Sequence, residues 1–151
     1  MKKIIIFVLT IMMALTMLGC ENNQEIESDI VSFYYSTSGM NGFTKYNVSV
    51  NDDKTIFSYE SRCVNCNEHK EINEEISDSY LKELSKLVND YNIYEWDGFD
   101  KNEEGLMDGG SFKLEIAFKD GKSIKARGYG KSPDNYREAI NAIIELFSPL
   151  I

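Results

Sequence analysis

The sequence predicts an α+β domain: a mostly antiparallel sheet in the order β-β-β-β-α-β-β-α, with two helices packed on one face. Three observations carry that expectation. Residues 112–118 alternate strictly, with Phe112, Leu114, Ile116 and Phe118 on one side, and a second strand over 122–128 follows across the Asp120-Gly121 turn. Residues 133–147 then place Tyr136, Ala139, Ile140, Ile143, Ile144 and Phe147 on one helical stripe. Upstream, three runs of alternating apolar residues and a polar fourth, between residues 30 and 76, are separated by short connections, the pattern of an antiparallel meander.

The first run, 30–37, sets Val31, Phe33 and Tyr35 on one side and ends at Ser38-Gly39-Met40-Asn41-Gly42. Residues 43–50 follow, with Tyr46, Val48 and Val50 alternating against Asn47 and Ser49, and Asn51-Asp52-Asp53-Lys54 makes the next turn. Residues 55–61 present Thr55, Phe57 and Tyr59 to one face. The fourth run, 68–76, offers only Ile72 and Ile76 to a core, and its charges mark it as an edge that discourages further pairing. Residues 77–91 form the first helix, because Tyr80, Leu84, Leu87 and Tyr91, with Leu81 and Val88, recur at helical spacing. Ser77 stands as its N-cap and Asp78 favours the helix dipole. Residues 100–110 read as an acidic loop. The last helix takes Ser132 as N-cap and Pro133 as its first residue, where a missing N–H costs nothing, and Pro149 stops it.

The N-terminus is a different kind of sequence. Lys2 and Lys3 precede an apolar run over residues 4–18, broken only by Thr10 and Thr16 and closed by Leu18-Gly19-Cys20. A bilayer span needs about 20 apolar residues, so the run is short for one and has the layout of a secretory signal. An uncleaved membrane anchor is the alternative, and both place the same domain outside the cytoplasm. The chain of 151 residues divides into a signal peptide over 1–19, a polar tether over 20–28 and a single domain over 29–151. Without Lys2 and Lys3 it carries 14 basic against 25 acidic side chains, a net charge of −11. Such a surface repels phosphate backbones and anionic headgroups, which argues against nucleic acid as a partner. Membrane contact is left to a lipid, not a basic face.

Several motifs carry chemistry at least in outline. Cys63-x-x-Cys66 forms an even pair once Cys20 is set aside, which favours a disulfide at a hairpin tip in an oxidising compartment. Its catalytic reading, a dithiol of the thioredoxin type, wants the first cysteine at a helix N-terminus, and polar strands flank it instead. His69 extends the motif to Cys-x-x-Cys-x-x-His and suggests a soft metal. A closed site would need a carboxylate such as Glu68 or Glu71 as well, and neighbouring strand residues point to opposite faces. Asp100, Asn102, Glu104 and Gly105, with Asp108, echo a calcium loop, but Ser111 stands where the bidentate glutamate belongs. Gly128-Tyr129-Gly130-Lys131-Ser132 echoes the end of a phosphate loop, with Lys125 in place of its leading glycine. Trp96, Phe99, Tyr129 and Tyr136 line either a ligand surface or the core. His69 is the only histidine, no Gly-x-Ser-x-Gly elbow exists, and no two of the acids are selected as a catalytic pair. No catalytic residue and no cofactor follow from these residues.

Met17-Leu18-Gly19-Cys20 resembles the lipobox of bacterial lipoproteins, with Met17 for the usual leucine and Leu18 bulkier than the usual small residue. In that family the cysteine is lipidated and becomes the mature N-terminus, which implies lipidation at Cys20. The pattern Trp96-Asp97-Gly98-Phe99, Asp108-Gly109-Gly110-Ser111-Phe112 and Gly128-Tyr129-Gly130-x-x-Pro133-x-Asn135-Tyr136 is similar to uncharacterised small bacterial lipoproteins, over about the C-terminal two fifths. That resemblance implies a small α+β domain with no assigned activity. The expectation is a membrane-anchored, extracytoplasmic binding domain that meets a cell-envelope protein or small ligand through its sheet face or the 100–110 loop. The alternative is a thiol-disulfide or metal-handling protein acting through Cys63, Cys66 and His69. An enzyme using two facing carboxylates is a third reading.

Overall fold

A computed structural model describes residues 28–105 and 109–151. The leader, Cys20, the tether up to residue 27, and Asp108 lie outside the described residues. The fold is α+β, but the sheet has seven strands in place of six. They are β1 (Ile30–Gly39), β2 (Gly42–Asn51), β3 (Lys54–Cys63), β4 (Glu68–Ile76), β5 (Asp100–Asn102), β6 (Ser111–Phe118) and β7 (Ser123–Tyr129). The helices are α1 (Ser79–Asp90) and α2 (Tyr136–Phe147), and short 3₁₀ turns cover Ile93–Trp96 and Ser148–Leu150.

The spatial order is β4-β3-β2-β1-β6-β7-β5. The four N-terminal strands are the expected meander, and β6–β7 is the expected hairpin. What joins them is an antiparallel seam between β1 and β6, with Phe33 opposite Ile116 and Tyr35 opposite Leu114. The extra strand corrects the acidic-loop reading of residues 100–110 at its first three residues only. Asp100–Asn102 pairs parallel with β7, so the sheet is mixed. Backbone bonds make the added strand: Arg127 N–H donates to the Phe99 carbonyl at 2.8 Å and Glu103 N–H to the Tyr129 carbonyl at 2.9 Å. The short strand covers the edge that β7 would otherwise present to solvent.

One face of the sheet holds the core. Cross-strand neighbours Phe57, Val48, Phe33 and Ile116 form one row, and Tyr46, Tyr35, Leu114 and Ala126 form the next; all are buried. A register shift between Ile30 and Ser32 changes the start of β1. Val31 becomes the unpaired residue of a bulge, and Ile30, not Val31, enters the core. Phe147 of α2 lies on this face, its ring 5.2 Å from that of Phe57 and 5.9 Å from that of Phe33. Tyr80 of α1 stacks on Phe147, ring centroids 6.1 Å apart. Leu84 and Val88 complete the contact of α1 with the core.

The helix starts differ from expectation. For α2 the N-cap is Asn135 in the left-handed region (φ 51°), not Ser132, and the helix begins three residues after Pro133. The Asn135 amide donates to the Tyr91 carbonyl at 2.7 Å. That bond ties the start of α2 to the end of α1, so a tertiary contact overrides the local Ser-Pro signal. For α1 the N-cap is Asp78, whose carboxylate accepts from the buried Thr55 hydroxyl at 2.6 Å instead of capping. Ser77 Oγ accepts the Ser79 N–H at 3.3 Å.

Phe147 touches four aromatic rings from three strands and α1, so Phe147→Ala is expected to cost about 3–5 kcal/mol, read by urea unfolding. A second expectation concerns alkaline pH. Burial pushes Tyr46 from an ordinary 10.0 up to about 12 and raises Tyr35 and Tyr136 as well. The fold favours the neutral phenols, so their contribution is fully present below the ordinary tyrosine value and is lost as pH rises towards about 12. Tyrosinate absorbance should therefore rise together with loss of near-UV circular dichroism. Full ionisation of all tyrosines near pH 10 with the fold intact would contradict this.

Candidate interaction surface

Two hairpin turns meet at the end of the sheet opposite the point where the chain comes in. Ser28 and Asp29 sit beside the β6–β7 turn, with Lys119 N–H donating to the Asp29 carbonyl at 2.9 Å. From there β1 runs ten residues, about 30 Å, to its far end. At that far tip Val64 N–H donates to the Asn41 carbonyl at 2.9 Å, and the Asn65 amide to Asn41 Oδ1 at 2.8 Å. Asn41 of the β1–β2 turn thus holds the β3–β4 turn.

The tip is further stapled by the Cys63–Cys66 disulfide, which spans 5.4 Å between Cα atoms. Cys66 N–H also donates to Cys63 Sγ at 3.2 Å, and Asn67 adopts the left-handed region (φ 53°) to bring the chain back into β4. Gly42 is required here: its φ is 137°, and a Cβ would collide with the Arg62 carbonyl.

These two turns differ from the rest of the described chain in two respects. Among the described residues, the exposed large hydrophobics are Met40 (70%), Val64 (62%) and Val50 (38%), and the two most exposed stand on these two turns. Residues 37–44 and 61–67 also contain no acid, and Arg62 is their single charge, in a chain with 25 acidic side chains. Thr37, Met40, Phe43, Ser61 and Arg62 border an open cleft of about 470 Å³. Apolar contact area and one fixed cation suit a neutral or anionic ligand; the acidic remainder does not.

Register separates two of the residues of the metal reading. Arg62 lies opposite His69, and Cys63 opposite Glu68, so His69 projects from the other face of the sheet from Cys63. His69 Nε2 instead approaches Glu60 Oε1 at 3.7 Å. The Glu60 carboxyl is held below its ordinary range mainly by a 2.8 Å hydrogen bond from Lys45. Of the residues that echo a calcium loop, Asp100 and Asn102 stand in β5, Glu104 and Gly105 in the turn after it, and Asp108 lies outside the described residues. Arg127 donates to the Asp100 carboxylate at 2.5 Å and lowers its pKa, and Asn102 is a strand residue of β5. Among the described residues, no three His, Cys, Asp or Glu side chains are grouped to hold a metal.

Gly128 to Ser132 makes no phosphate cradle either. α2 starts only at Tyr136, and Gly130 N–H already donates to the Gly110 carbonyl at 2.9 Å. Gly128 is required because a Cβ would meet the Lys131 carbonyl and the Phe112 ring. Trp96 and Tyr136 belong to the core reading, with ring centroids 5.7 Å apart and the Tyr136 hydroxyl 2.9 Å from that of Tyr35. Sequence reasoning missed the tip itself, because the Asn41 contacts join turns more than twenty residues apart and leave no local signal.

No protein-family model matches the chain, and no curated protein matches it. The disulfide closes a very short loop, so Cys63→Ser/Cys66→Ser is expected to lower stability by only about 1–2 kcal/mol in urea unfolding. Loss of the folded state on reduction would contradict a local staple.

Proposed function

We propose that this chain is a lipid-anchored, extracytoplasmic binding domain whose contact surface is the tip formed by the β1–β2 and β3–β4 turns. The observation that carries the reading is the leader: two lysines, a 15-residue apolar run and Leu18-Gly19-Cys20. The cysteine pairing supports it. Of three cysteines, Cys63 and Cys66 are bridged, which leaves Cys20 as the odd one, at the end of that apolar run. A lipid there would supply the membrane contact that the acidic surface does not.

The layout of the domain suits such an anchor. The tether would join at the base, beside the β6–β7 turn, and the apolar, acid-free tip stands at the opposite end. A cell-envelope protein or small neutral or anionic ligand would meet Met40, Val64 and Arg62 there.

Metabolic labelling with an alkyne fatty acid tests the anchor. The native chain should take up label and sediment with membranes, while Cys20→Ser takes up none. Equal labelling of Cys20→Ser, or a native chain found in cytosol with residues 1–19 attached, would overturn the proposal.

A further inference from the structure

β4 ends the sheet. All nine of its residues pair with β3 on one side, and no strand pairs with the other among the described residues. Unlike β7, which β5 pairs along its last residues, this edge is long and has no covering strand among the described residues. Such edges recruit other strands unless their side chains forbid it. β4 is heavily charged, and what those charges forbid depends on register.

We propose that two copies of this chain pair through β4, antiparallel about a two-fold axis at Ile72, into one continuous sheet. Centring the pair on Ile72 sets Lys70 opposite Glu74 of the second copy, His69 opposite Glu75, Glu71 opposite Asn73 and Glu68 opposite Ile76. Each arrangement occurs twice by symmetry. No like charges face each other.

Every neighbouring register fails. Centring on Glu71 places Glu71 against itself and Glu68 against Glu74. Centring on Asn73 places Glu71 against Glu75. Lys70 or Glu74 at the axis meets its own copy, and a centre between Ile72 and Asn73 places Glu71 against Glu74. Any centre between two residues would also set core-side residues against outer-side ones, so face and charge together leave one register among those that pair five or more residues of the strand, a pattern of selection by repulsion.

The side chains are also correctly placed by face. Opposite residues in a strand pair share a face, so Ile72 meets Ile72 on the core side, where Ile76, Leu150 and Ile151 are half-buried against the same core. Lys70 lies on that side too. It already donates to the Ile151 carbonyl, and its ammonium retains further hydrogens for Glu74 across the seam. On the outer side Glu75 is bonded by Lys54 at 2.7 Å, and His69 lies near Glu60. The Lys70–Glu74 pair and the Ile72 contact are thus the main new interactions.

The test uses the full chain in detergent. Residue 72 is the one position that meets itself across the axis. Ile72→Cys should therefore form an intermolecular disulfide on a non-reducing gel, whereas Asn73→Cys, facing residue 71, should not. In sedimentation the native chain should be a dimer, and Lys70→Glu or Glu74→Lys should each weaken the dimer at least tenfold. The double exchange, Lys70→Glu with Glu74→Lys, should restore it. A native chain that sediments as a monomer, equal cross-linking by both cysteines, or a double exchange no tighter than the single changes would overturn the proposal.

Discussion

Strand β1 is paired on both sides, and its second pairing, to β6, makes one sheet out of two separately formed halves. On one side stands a meander of consecutive hairpins, and on the other a hairpin that begins at Ser111, after the helix α1 and the short strand β5. Phe33 and Ile116 face each other across the seam although 83 positions separate them. Closing such a loop costs chain entropy before any contact repays it, so the seam holds only because side chains converge on it. Phe33, Tyr35, Leu114 and Ile116 bury completely or nearly so along it, and Phe147 lies over the Phe33 end. The register is fixed because a one-residue slip would turn every one of these side chains to solvent.

That seam also decides where function has room. With the core on one face of the sheet, the surfaces left are the outer face, the turn tips and the edges. The outer face is occupied by charge pairs such as Lys45–Glu60, Lys54–Glu75 and Lys113–Glu115. These are half-exposed and contribute little to stability individually, but they keep the face polar. Apolar exposure is displaced to the tip, where Met40 and Val64 stand on turns that a disulfide and Asn41 hold together. The two edges are treated differently, one covered by a three-residue strand and the other marked by charges in a self-complementary order.

Most of the local structure was legible in the sequence, since strands β1 to β4, β6 and β7 follow alternation and both helices follow helical periodicity. The Cys63–Cys66 bridge was legible because spacing and an even count constrain it. What stayed hidden was non-local. Asp100-Lys101-Asn102 has no strand propensity, and it becomes β5 only because Phe99 and Tyr129 carbonyls accept bonds between it and β7. Ser132-Pro133 is a good local helix start, yet α2 begins at Tyr136 because Asn135 is held by Tyr91. The bulge at Val31 reverses which residue of a hydrophobic pair is buried, and only the partner strand reveals it. The candidate tip was obscured for the same reason: its members lie in two turns joined in space by Asn41.

Because the β1–β6 seam binds the two halves, they should unfold as one unit. Trp96, the only tryptophan and 3% exposed, reports on the C-terminal half through its fluorescence. Hydrogen exchange at the amides shared by β2 and β3 reports on the other. The account predicts the same urea midpoint for both probes. A C-terminal half that loses its fluorescence signal while the meander keeps its slow amides would show that the two halves stand independently, and the seam would not be what holds the molecule together.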